Sequence, residues 1–168
     1  MALLATFRTA IRNTTNTSSY ITNSGAFTPA ANSLMLACIS NTVTTQGFDV
    51  SSVSGNGVNY TKSYSATSTS AAAQTELWVA NPGASPTNGE ITVLFSTTRT
   101  GCLIDVIEVT GWASSLGPTG AILNQQSVTT SGLQVTVSLN AATTAGNRTV
   151  AFTFGPNETL TFGVGIDT

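Results

Sequence analysis

Along most of this chain apolar residues alternate with Thr, Ser and Asn, and the period is two. The segment Leu133-Gln-Val-Thr-Val-Ser-Leu139 puts Leu133, Val135, Val137 and Leu139 on one face and small polar side chains on the other, as a half-buried strand does. The same alternation turns Ile91, Val93 and Phe95 inward over 90–97. It sets Leu77 and Val79 against Glu76 and Trp78 over 75–80, and it recurs at 149–154 and 160–166. Two stretches, 33–40 and 101–110, are apolar at nearly every position and so read as central strands covered on both faces. Weaker strands are predicted at 48–53, 58–65 and 121–129, the second with Val58, Tyr60, Lys62 and Tyr64 on one face.

Asn56-Gly57 is a strong tight-turn signal, 66–73 reads as a loop, and 81–89 and 111–120 are longer connections. About nine or ten short strands predict an all-β protein, an antiparallel β-sandwich of jelly-roll kind. The closing apolar stretch at 160–166 needs a partner strand, either within the sandwich or on another subunit.

The N-terminal part reads differently. Leu3, Leu4, Phe7 and Ile11 recur at helix-like spacing, so 2–12 is expected as a short amphipathic helix or, alternatively, a first edge strand. A polar run, Asn13-Thr-Thr-Asn-Thr-Ser-Ser19, follows. The division predicted is an N-terminal arm at 1–24 and a single sandwich domain at 25–168. The arm's candidate contacts to capsid or neighbouring subunits are Leu3, Leu4, Phe7, Arg8, Ile11 and Arg12. If it is only an arm, deleting 1–24 leaves a folded domain.

Composition narrows the function. Only 7% of the 168 residues are charged, histidine is absent, and the formal net charge is −2. Soluble domains usually carry about 25% charged residues, so neutral hydroxyls and amides must dress this surface. Five Lys and Arg cannot build a phosphate-tracking stripe, which argues against nucleic acid and anionic membrane. No run approaches the roughly 18 apolar residues of a membrane span. The start, Met1 to Arg8, has a short apolar run with its arginines behind it, unlike a signal peptide. Cys38 and Cys102 lie in apolar strands and read as buried free thiols.

Without histidine no Ser-His-Asp or Cys-His arrangement exists. Asp105 and Glu108 differ by an odd number and so fall on opposite faces of a strand, whereas Cys102 and Glu108 share one. Glu108 then needs a partner, with Arg99 or Lys62 the candidates, and a structural role at the Gly111 turn is expected for it. Asp49, Asp105 and Asp167 are too scattered for a calcium loop. The reading is therefore of a protein that is not an enzyme, with no catalytic residues, no metal and no cofactor.

Five blocks carry a resemblance: Phe27-Thr-Pro-Ala-Ala-Asn-Ser-Leu-Met-Leu36, Thr75-Glu-Leu-Trp-Val-Ala80, Gly89-Glu-Ile-Thr-Val-Leu-Phe-Ser96, the stretch from Gly101 to Gly111, and 133–147. Together they resemble a β-sandwich domain of tailed-phage virion proteins and related bacterial surface proteins, over roughly residues 25–155. The resemblance implies a structural virion protein, most specifically a capsid decoration (cement) protein. Its expected partners are the major capsid protein or other virion proteins and further copies of itself, a trimer being favoured. Its expected place is the virion, after synthesis in the host cytoplasm. The alternative is a tail-fibre or surface adhesin module with Trp78 and Trp112 as a glycan platform.

Overall fold

The structure, a computed structural model, describes residues 3–21, 25–42, 50–68, 73–99, 101–122, 148–151 and 163–166. Two antiparallel sheets make up the fold. The larger comprises β1 (Leu4–Asn13), β3 (Leu34–Thr42), β6 (Thr61–Ser68), β7 (Ala73–Ala80) and β9 (Cys102–Thr110), in the order β1-β9-β3-β7-β6. The smaller comprises β2 (Thr17–Ile21), β4 (Val50–Gly55), β5 (Val58–Asn59) and β8 (Ile91–Arg99), in the order β2-β8-β4-β5. A separate hairpin pairs β10 (Arg148–Ala151) with β11 (Gly163–Ile166), so the closing apolar stretch finds a partner in its own chain. The strands expected at 121–129 and 133–139 lie outside the described residues, apart from Ala121 and Ile122.

The period-two pattern decides which side chains meet. Met35, Ala37 and Ile39 of β3 and Ile104 and Val106 of β9 pack against Val50 and Val53 of β4 and Ile91, Val93 and Phe95 of β8. This is the core between the sheets. Opposite-parity residues of the larger sheet face outward and form a second apolar layer: Leu34, Leu36, Val79, Ile107 and Val109, with Leu3, Ala5, Trp112 and Ile122 packed on it. The larger sheet is therefore covered on both faces, which is why β3 and β9, apolar on both sides, occupy its interior. Cys38 and Cys102 are buried free thiols. Cys38 shares the outward parity of Leu36, while Cys102 belongs to the inner core.

The N-terminal helix is not formed. Residues 4–13 are the edge strand β1, paired with β9 from Leu4↔Thr110 to Asn13↔Cys102, and β2 pairs with β8 in the other sheet. The span read as an arm thus supplies one strand to each sheet and places Ile11 and Tyr20 in the core. A register shift between Phe7 and Thr9 explains the misleading spacing. Arg8 is the extra residue of a bulge, so Ala5 and Phe7 face outward while Thr9 and Ile11 face inward. An isolated helix of about eleven residues is marginal in water, and pairing with a strand as apolar as β9 outweighs it.

Two further expectations need correction. The single strand expected at 58–65 is two: Tyr60 lies between β5 and β6, where the chain passes from one sheet to the other. A second shift, between Lys62 and Tyr64, sets Tyr64 opposite Leu77 and so reverses the face it was expected to share with Tyr60 and Lys62. The 66–73 segment is strand at both ends, through Ser68 and from Ala73. Asn56-Gly57 is the tight turn foreseen, with φ of 53° and 82°.

Candidate functional site

Two buried carboxylates are the obvious places to look for chemistry. Glu108, near the end of β9, faces the core with its side chain only 1% exposed. Arg8 pairs with its Oε2, and the backbone N–H of Ala30 donates to its Oε1 at 2.6 Å. Arg8 also lies 5.9 Å over the Phe27 ring. The bulge explains this pair, because the extra residue of β1 is the one able to turn under the sheet edge. Glu108 is thus the ion-paired, backbone-bonded carboxylate expected from its parity. Its partner, however, is Arg8 rather than Arg99 or Lys62, and it ties down the entry to β3 rather than the Gly111 turn.

Glu76, on the inward face of β7, is fully buried. It accepts hydrogen bonds from Gln74 Nε2 at 2.8 Å, Trp78 Nε1 at 2.7 Å and the Val50 backbone N–H at 3.3 Å. Lys62 Nζ stands 3.6 Å from Glu76 and 5.7 Å from the Trp78 ring. The polar residues 74, 76 and 78 share a face by parity, so the cluster follows from the alternation of β7. Sequence reading paired Glu76 with Trp78 but missed the network, because Val50 and Lys62 arrive from other strands.

Neither carboxylate is placed for acid–base work on a shared bond. Along β3, Glu108 pairs at Met35 and Glu76 at Ile39, from strands on opposite sides. Four residues of rise and two strand spacings separate them by roughly 16 Å, well beyond the about 5–10 Å used by carboxylate pairs in glycoside hydrolysis. Asp105 lies on the outward face opposite Cys38, as the odd spacing from Glu108 required. Burial pushes its carboxyl from 3.8 up to about 6, and burial followed by the nearby Asp105 raises the Cys38 thiol. Among the described residues no group of three His, Cys, Asp or Glu could hold a metal ion. No helix among them is long and apolar enough to cross a membrane.

The tryptophans do not form one platform. Trp78 is buried in the inner core with its ring N–H on Glu76. Trp112 packs on the outward layer and donates its N–H to the Asn32 carbonyl at 2.8 Å. The larger sheet stands between them, because Trp78 points inward from β7 while Trp112, beyond the end of β9, lies against the outward layer.

What remains open is one side of the sandwich. Among the described residues both sheets end there, on β1 and β2. Of five large apolar side chains left exposed among the described residues, Leu4 (61%) and Phe7 (47%) are on β1, Ile21 is on β2 and Leu94 is on the adjoining β8. Phe7 looks out from the larger sheet and Ile21 and Leu94, next to the inward Tyr20 and Val93, look out from the smaller one, so the exposed apolar side chains are divided between the two outer faces, with Leu116 elsewhere. Of the arm residues singled out from the sequence, Leu4 and Phe7 are exposed and Arg12 is exposed, Arg8 serves Glu108, Leu3 packs on the outward layer, and Ile11 is core. Protein-family models, curated proteins and solved structures contain no match to this chain.

Proposed function

We propose that the chain is a non-enzymatic structural protein of a tailed-phage virion, and more narrowly a decoration (cement) protein seated on the major capsid protein lattice. The observation that carries this reading is a surface poor in charge that leaves large apolar side chains exposed on both outer faces, Phe7 on the larger sheet and Ile21 and Leu94 on the smaller. The buried carboxylates add to it: Glu76 and Glu108 are consumed in holding strands together, which fits a building block better than a catalyst. The resemblance of the blocks at 27–36, 75–80, 89–96 and 101–111 to virion β-sandwiches supplies the setting. A cement protein needs no single strong contact, since modest interfaces repeated over a shell raise its resistance to heat and pressure by mass action.

The test is to purify the particles that carry the protein and count its copies by quantitative mass spectrometry. Hundreds of copies per head are expected, together with heads that release their genome at lower temperature when the protein is missing. A few copies confined to the tail would overturn the proposal. So would specific binding on a glycan array that Trp112→Ala abolishes, which would make the protein an adhesin.

A further inference from the structure

We propose that Asn88 is a site of spontaneous covalent modification, an Asn-Gly step open to deamidation, and that the fold seals the chain's other Asn-Gly step, Asn56-Gly57, against the same reaction. The inference goes beyond the virion reading and does not rest on it, because the chemistry needs only this chain and water.

The dipeptide sets the reaction. The backbone nitrogen of the residue after asparagine gives up its proton and attacks the side-chain amide carbon. A bond from that nitrogen to Cγ forms, the Cγ–Nδ2 bond breaks, and the amide nitrogen takes up a proton and leaves as ammonia. A cyclic succinimide remains. Water then adds to one of its carbonyl carbons and breaks the bond from that carbon to nitrogen. Cleavage at Cγ gives aspartate, and cleavage at the backbone carbonyl gives isoaspartate, in which the chain runs through the side chain. Glycine in the second position allows this most readily, since it has no side chain to crowd the attacking nitrogen and its backbone turns freely. The sequence contains two such steps, Asn56-Gly57 and Asn88-Gly89.

The fold treats them differently. Asn56 is 2% exposed and sits in the tight turn with φ of 53°. Its Nδ2, the nitrogen that has to leave, donates to the Phe27 carbonyl at 2.6 Å and to the Gly89 carbonyl at 3.0 Å. A Cβ at Gly57 would stand 2.6 Å from Thr87 Oγ1, so the neighbouring loop also crowds the attacking residue. Asn88, in that loop, is exposed. Its Nδ2 donates to Thr28 Oγ1 at 3.1 Å, a bond between two exposed side chains. The Gly89 N–H donates to the Phe27 carbonyl at 3.2 Å, but in an isolated bridge outside any strand. Such a bridge opens at a small free energy compared with a core strand, so it slows the attack without preventing it.

The product reaches the neighbouring turn. Asn56 Nδ2 holds the Gly89 carbonyl and, at 3.5 Å, the Thr87 carbonyl, which lie on either side of Asn88. Isoaspartate lengthens the backbone between them and so strains this clasp, while either product adds a negative charge to a chain of net charge −2.

The experiment is to hold the full chain in mildly alkaline buffer, folded or in urea, and to follow both sites by peptide mass spectrometry, with electron-transfer fragmentation to tell isoaspartate from aspartate. In the folded protein Asn88 should convert faster than Asn56 by about tenfold or more, and in urea the two rates should converge, because only the fold separates them. The converted protein should run as a more acidic species on isoelectric focusing. Asn88→Gln should remove that species with an unchanged circular-dichroism spectrum. Conversion of Asn56 at the rate of Asn88 in the folded protein, a folded Asn88 that stays intact while the urea sample converts, or an acidic species that Asn88→Gln leaves in place would each overturn the proposal.

Discussion

Single side chains here do more to fasten strands than to present chemistry, and Asp105 is the informative exception. Its folded carboxyl is raised from 3.8 to about 6 by burial, so between those values the folded state holds a proton that the unfolded state has released. Its contribution is fully favourable below about 3.8 and is lost as the pH rises through 6, at a cost of roughly 2–3 kcal/mol. Asp105→Asn should therefore raise the thermal midpoint at pH 8 and leave it nearly unchanged at pH 4, a contrast that calorimetry at the two pH values reads directly. Glu108→Ala strands the Arg8 guanidinium and the Ala30 N–H beside a cavity, and should cost about 2–4 kcal/mol in urea unfolding. A loss under 1 kcal/mol would show that the pair holds little. The parity of both carboxylates was legible in the sequence. Their partners were not, because Arg8, Ala30, Val50 and Lys62 reach them only through strand order and a bulge.

At the scale of elements, the alternation located β7, β8 and β9 closely, and the doubly apolar stretches identified the interior strands. Tight turns were equally legible, since Asn56-Gly57 needs positive φ at both positions. Gly55, just before it, has φ of 155°, and a Cβ there would collide with the Glu90 carbonyl oxygen. Gly55→Ala should accordingly destabilise by about 2 kcal/mol or more, measured as a shift of the unfolding midpoint. Of the two readings of the N-terminal segment, the first edge strand is what forms, and the helix reading fails for a definite reason. One inserted residue turns a period of two into something that mimics a helical period, and only the pairing with β9 exposes the bulge. The consequence reaches the deletion of 1–24. Removing β1 and β2 uncovers β9 and β8 and takes Ile11 and Tyr20 from the core, so the truncated chain should lose its cooperative thermal transition rather than fold as a free-standing domain.

Across the whole molecule, the distribution of polarity sets what the protein can do. A chain with 7% charged residues buries Glu76 and Glu108 as fasteners and leaves large apolar side chains exposed on the outer faces of both sheets. The sequence by itself determined the fold class, the inward face of each regular strand and the turn chemistry, because these depend on local periodicity and on backbone conformations that few residues tolerate. It determined as well the absence of histidine-based chemistry. Only the tertiary structure decided which strands are neighbours and where the bulges fall, and hence that Trp78 and Trp112 are separated by a sheet and that Leu4 and Phe7 stay exposed. Those outcomes depend on long-range pairing, where the burial of apolar faces on both sides of β3 and β9 outweighs any preference a short segment has on its own.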